Sequence, residues 1–120
     1  MENKTLEQTL SDIITIVGIP ANINGYKYLR DAILHVVQDI TLARGITKLL
    51  YPLVAKENNT SASRVEKAIR HAIDVSYNAG KIRKLNSLLG IEVFDTYYKP
   101  SNGEFIALIA DRILLNGFKV

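Results

Sequence analysis

The stretch AKENNTSASRVEKAIRHAI, residues 55–73, decides how this chain is read. It has the spacing of a helix-turn-helix. Ala55 is small, as a position where two helices approach closely must be. Asn59, four residues on, tolerates the left-handed backbone that a tight turn demands. Val65, six further on, begins an apolar stripe of Val65, Ala68, Ile69, Ala72, Ile73 and Ser76 at helical steps. Ser63, Lys67, Arg70, Asp74 and Asn78 fall on the opposite face, with Arg64, Glu66 and His71 at the flanks. This is the layout of a module that lays one helix in the major groove of double-stranded DNA.

The residue types on the outer face suit that task. Arg64, Lys67 and Arg70 can donate to guanine O6 and N7, and Glu66 can accept from cytosine N4. His71 can donate to a base or a phosphate. Ser61 and Ser63, with the N–H groups of the helix start, can hold a phosphate. A carboxylate among phosphates is repelled unless it meets a donor, so Glu66 favours reading of sequence over purely electrostatic binding. The same pattern also serves a solvated helix face, because Glu66–Arg70 and Arg70–Asp74 are both i,i+4 pairs. Spacing alone leaves both readings open.

Around this core the periodicity is helical almost throughout. Leu6, Leu10, Ile13, Ile14 and Val17 mark a first helix stopped by Gly18. Residues 19–25 form a connector between Pro20 and Gly25. A second helix is expected from Tyr26 to about Ala43, and a short third from Ile46 to Leu50, after which Pro52 breaks or restarts the chain. Pro52 to Asn58 is the first helix of the DNA-binding unit. Thr60 or Ser61 caps the next, with Ser63 and Glu66 as a further capping box. That helix runs to Ala79, and a short one follows from Ile82 to Leu89. Residues 91–99 have strand-like composition and read as an extended connector; Tyr97 and Tyr98 could stack on bases, but are expected to pack over the core. Ser101 and Glu104 cap a last apolar helix carrying Phe105, Ile106, Leu108, Ile109, Ile113 and Leu114. The fold class is all-α, about six helices with an embedded helix-turn-helix.

Charge sharpens the picture. The formal net charge is +3 over 120 residues. Residues 1–60 carry six basic and six acidic side chains, and residues 61–120 carry nine and six. Between Arg64 and Lys84 the count is six to two, a local patch that attracts phosphates. Lys81, Arg83 and Lys84 within it could grip the DNA backbone, or be an ordinary solvated run. There is no cysteine, which fits a reducing compartment and excludes thiolate metal sites. No apolar run approaches the ~20 residues of a membrane span, and no signal peptide opens the chain, so a cytoplasmic protein is expected. His35 and His71 stand apart from other ligand types, and no nucleophile elbow, phosphate-binding glycine loop or carboxylate pair is present. No metal, cofactor or enzymatic activity is expected. His35, among Leu34, Val36 and Val37, reads as a satisfied, part-buried helix histidine.

Several separated stretches carry a family resemblance: SRVEKAIRHAI at 63–73, VGIPA at 17–21, GYKYLRDAI at 25–33, ITKLLYP at 46–52 and EFIA at 104–107. Over about residues 10–115 the chain resembles the C-terminal effector domain of the stage-zero sporulation protein A family, response regulators that commit bacteria to sporulation. The resemblance implies an all-helical effector that binds a short DNA box through the major groove and contacts RNA polymerase sigma factor. It maps DNA contact onto Arg64, Glu66, Lys67, Arg70 and His71, with Ser61 and Ser63 near the backbone. Family members carry Arg where this chain has Lys67, and a lysine lacks the bidentate fork that favours guanine. The resemblance also implies an upstream phosphoacceptor receiver domain. The residues before Leu6 leave no room for one, so residues 1–120 are expected to be a fragment that carries the single effector domain, with 1–5 as a linker remnant, the alternative being a gene that encodes the effector alone. Such a chain is expected to be monomeric when free and to pair on adjacent boxes. The alternative from another class is a helical protein-interaction module that uses the last helix or residues 91–99 and binds no DNA.

Overall fold

The computed structural model describes residues 5–90, 92–95 and 97–116. Helix α1 (Leu6–Ile16) opens with a capping box. Gln8 N–H donates to Thr5 Oγ1 at 3.1 Å, and Thr5 N–H donates to Gln8 Oε1 at 2.9 Å. Leu10, Ile13 and Ile14 are its buried side, and Gly18 ends it in the left-handed region at φ +82°.

Helix α2 (Asn24–Gln38) buries Leu29, Ala32, Ile33 and Val36. It stops five residues before the expected end at Ala43. Asp39 turns extended (φ −146°, ψ 94°), and its Oδ1 accepts from Thr41 N–H at 3.1 Å and from Thr41 Oγ1 at 2.6 Å. An aspartate that captures the backbone two residues on favours a turn over continued helix. A 3₁₀ turn, Ile40–Arg44, takes its place.

The expected third helix, Ile46–Leu50, is a wide π-type turn that runs directly into α3 (Tyr51–Glu57). Pro52 lies in the first turn of α3, where its missing N–H costs nothing, so proline restarts the helix here. Helix α4 (Ala62–Asn78) follows, then α5 (Lys84–Leu89), which starts two residues later than expected and leaves Ile82 buried in the preceding turn. Helix α6 (Asn102–Asn116) completes the all-α architecture. Ser101 and Glu104 form the expected box at its start: Glu104 N–H donates to Ser101 Oγ at 3.2 Å, and Ser101 N–H donates to Glu104 Oε1 at 2.9 Å.

α2 is the centre, packed against α1, α3, α4 and α6. Its approach to α4 is close because Gly25 has no side chain. A Cβ there would fall 2.3 Å from the Ala68 carbonyl oxygen and 2.7 Å from the Ala72 Cβ. One contiguous apolar core joins α1, α2, α3, α4, α5 and α6, and includes Val54, Val65, Ile69, Leu85 and Phe105.

The connector between α5 and α6, expected to be extended, forms no strand among its described residues. An isolated Asp95–Tyr98 bridge with a turn at Tyr97 doubles it back, Ile91 and Thr96 lying outside the described residues. Phe94 is its anchor, packed on Phe105 with ring centroids 6.3 Å apart. Asn86 clamps it from α5: Val93 and Phe94 N–H both donate to Asn86 Oδ1 at 3.0 Å. The expectation that Tyr97 and Tyr98 cover the core is wrong. Tyr97 is 92% exposed and Tyr98 46%, because the Asp95–Tyr98 pairing turns both outward while Phe94 fills the interior. Leu114 also faces out, at 49%.

Candidate nucleic-acid interface

The turn between α3 and α4 is built by two asparagines. Asn59 takes φ +52°, the left-handed conformation its position demands. Thr60 N–H then donates to the Ala55 carbonyl at 3.0 Å, closing the end of α3. Asn58 Nδ2 donates to the Val54 carbonyl at 2.9 Å and to Asp31 Oδ2 at 3.1 Å, while Lys27 Nζ donates to Asn58 Oδ1 at 2.5 Å. His35 Nε2 donates to Glu57 Oε1 at 2.6 Å, as the part-buried helix histidine of the sequence reading. α2 therefore holds both the first helix of the unit and its turn.

Ser61 caps α4, with Oγ accepting from Arg64 N–H at 3.2 Å. Ser63 lies within the first turn, so the alternative box with Glu66 does not form. The Ser61 hydroxyl proton remains available to a donor-seeking group, as do first-turn N–H groups without an intrahelical acceptor.

The stripe of α4 packs inward as its spacing requires. Val65, Ile69, Ala72, Ile73 and Ser76 are buried and Ala68 is half-buried. Ser61, Ser63, Arg64, Lys67, Arg70 and His71 are all exposed. At ~1.5 Å per residue, Ser63 to His71 covers about 12 Å along the axis. Glu66 is half-buried and pairs with Arg70, Oε2 to Nη1 at 3.3 Å. The second expected pair does not form. Asp74 accepts from Lys99 Nζ at 2.7 Å, and Lys99 comes from the connector before α6.

Lys81, Arg83 and Lys84 are exposed but are not brought beside Ser61 and Ser63. They follow Gly80 at the far end of α4, about 25 Å away by the rise of 17 residues. Lys81 lays its stem against the turn after α1, so that a Cβ at Gly18 would meet its Cδ at 2.6 Å.

Sequence reasoning missed what borders α4 on its Glu66–Asp74 side. There a groove of about 700 Å³ is walled by Thr47, Tyr51, Lys99, Ser101 and Asn102. Asn102 Nδ2 donates to Tyr51 Oη at 3.0 Å and to the Glu66 carbonyl at 3.1 Å. Burial first, with Glu66 adding to it, holds the Tyr51 phenol above its ordinary value, against the opposing pull of Asn102 and Arg70. Only the Ser101–Glu104 box hinted that this corner was ordered. Among the described residues no group of three His, Cys, Asp or Glu could hold a metal ion, and no helix is long and apolar enough to cross a membrane.

A short helix, an asparagine turn and an open, cation-bearing second helix make up the architecture of DNA-binding transcription regulators. The family model described as Sporulation initiation factor Spo0A C terminal matches residues 10–113, and the chain belongs to that family. It is thereby a DNA-binding effector domain of the response-regulator class that initiates sporulation, in a regulatory family and not an enzyme family.

Proposed function

We propose that residues 1–120 act as one effector domain that reads a short, specific DNA box with the N-terminal half of α4 in the major groove. The observation behind this is the exposure of Arg64, Lys67, Arg70 and His71 on a helix whose opposite side is sealed in the core. A helix ~10–12 Å in diameter fits the ~12 Å width of that groove, and these side chains are spread over ~12 Å of its axis. Arg64, Lys67 and Arg70 donate to guanine edges, Glu66 accepts from a cytosine amino group, and His71 donates to a base or phosphate. Ser61 and Ser63 hold a phosphate at the helix start. Lys81, Arg83 and Lys84, remote from that start, serve as backbone contacts farther along the duplex. Family membership supports the wider reading: contact with RNA polymerase sigma factor, partnership with a receiver domain in a longer protein, and paired copies on adjacent boxes.

One observation favours the second reading, a protein-interaction module. An apolar groove of about 360 Å³ lies between the connector and α6, lined by Val93, Phe94, Tyr98 and Leu108, beside the exposed Tyr97. Selection of bound oligonucleotides from a random pool, followed by anisotropy titration of the selected and a scrambled duplex at physiological salt, separates the two. Tighter binding of the selected duplex is expected. Equal affinity for both duplexes overturns specific reading, and absence of any salt-dependent binding favours the protein module.

A further inference from the structure

One side chain from outside the helix-turn-helix touches both of its helices. Asn102, the first residue of α6, donates to Tyr51 Oη at 3.0 Å and to the Glu66 carbonyl at 3.1 Å. Tyr51 is the first residue of α3 and is buried. Glu66 lies between Val65 and Lys67, in the midst of the outward-facing set on α4. An amide NH₂ has two hydrogens, so both bonds can be made at once, and a helix carbonyl has a second lone pair beyond the one used within the helix.

The start of α6 is itself a fixed point. The Ser101–Glu104 box sets its backbone, and Phe105 and Ile106 are fully buried just beyond. Apolar packing of Val65 and Ile69 against the core resists separation of α4, but it is non-directional and tolerates small rolls about the helix axis. A hydrogen bond to a main-chain oxygen of α4 is directional and does not. Base reading needs side chains held within ~0.5 Å and 10–20° of the productive geometry.

We propose that Asn102 is a positioning residue for sequence discrimination: by tying Tyr51 to the Glu66 carbonyl it fixes the roll of α4, and with it the angle at which Arg64, Lys67 and Arg70 meet base edges. This rests on the groove reading proposed above. Asn102 itself contacts no DNA.

The test compares the full chain with Asn102→Ala, Tyr51→Phe and the double variant, titrating selected and scrambled duplexes across a salt series, with melting curves alongside. Asn102→Ala should lower the selected-to-scrambled affinity ratio about fivefold or more, the size of one weakened base contact. Affinity for scrambled DNA and its salt slope should stay as they were. Tyr51→Phe should give part of the same loss, and the double variant no more than Asn102→Ala alone, since both act through one bridge. A lowered melting temperature with an unchanged ratio overturns the proposal and leaves Asn102 a structural residue. A fall in scrambled-DNA affinity and salt slope also overturns it, by making Asn102 a phosphate contact. If Asn102→Ala does not fold, Tyr51→Phe decides, and an unchanged ratio there is equally fatal. Failure of the parent chain to discriminate the two duplexes sinks the groove reading as well, whereas discrimination that survives in the variants sinks the bridge alone.

Discussion

Asp74 is bound by Lys99, at 2.7 Å across 25 residues of chain, although Arg70 lies one helical turn before it on the same helix. A carboxylate on the outer face of α4 would repel a phosphate backbone, and Lys99 offsets that charge. Lys99→Ala is expected to weaken DNA binding about two- to fivefold at physiological salt, the range of a surface pair. Adding Asp74→Asn should restore it. A loss that persists in the double variant means that Lys99 contacts phosphate directly.

Arg70 and Glu66 are paired in the free protein, so each tunes the other. Arg70→Ala should weaken binding to the selected duplex by about 1–3 kcal/mol. Glu66→Gln should do something different: it frees Arg70 and removes a repelling charge, so affinity for scrambled DNA should rise while discrimination falls. Anisotropy titration of both duplexes reads both effects.

Gly25→Ala should destabilise the fold by about 1–3 kcal/mol, the usual cost of overpacking. The added Cβ meets the Ala68 carbonyl oxygen, a backbone atom that moves only if α4 shifts. The higher helix propensity of alanine, worth at most ~1 kcal/mol, does not offset this. The urea midpoint is the measurement, and an unchanged or raised midpoint would count against the close approach.

The box at the start of α6 gives stability a pH dependence. The Tyr98 hydroxyl, donating to Glu104 Oε2 at 2.5 Å, and then the Ser101 N–H, hold the Glu104 carboxyl below its ordinary 4.5. A carboxyl depressed in the folded state stabilises it above the unfolded value, and that contribution fades as pH falls below 4.5 through the folded value. The same bond raises the Tyr98 phenol above its ordinary 10.0, so its contribution is present at neutral pH and lost on the alkaline side. The stability gap between the parent chain and Glu104→Gln should therefore shrink as pH drops from 7 to 3 in urea titrations. A gap constant over that range would remove Glu104 as its source.

What could be read from the sequence was what short-range spacing encodes. The stripe on α4 follows from 3.6 residues per turn, and Asn59 was legible because few side chains accept a left-handed backbone. The Ser101–Glu104 box is likewise a three-residue signal. Periodicity could not show where α2 ends, because the capture of Thr41 by Asp39 competes with helix without disturbing the apolar pattern. It sent Tyr97 and Tyr98 inward on hydrophobicity, whereas Phe94 takes that space. The partners of Asp74 and of the Glu66 carbonyl lie on a distant segment, 25 and 36 residues away, where local pattern carries no information.

Because α2 lies against α1, α3, α4 and α6 at once, the molecule has little room for partial melting. Its amides should be among the slowest to exchange with deuterium, and α4 should lose protection together with them. A ligand that grips α4 would then raise the melting temperature of the entire cooperative unit. Occupancy of the DNA site should thus be detectable as slowed exchange in α1, which packs on α2 and carries none of the proposed DNA contacts.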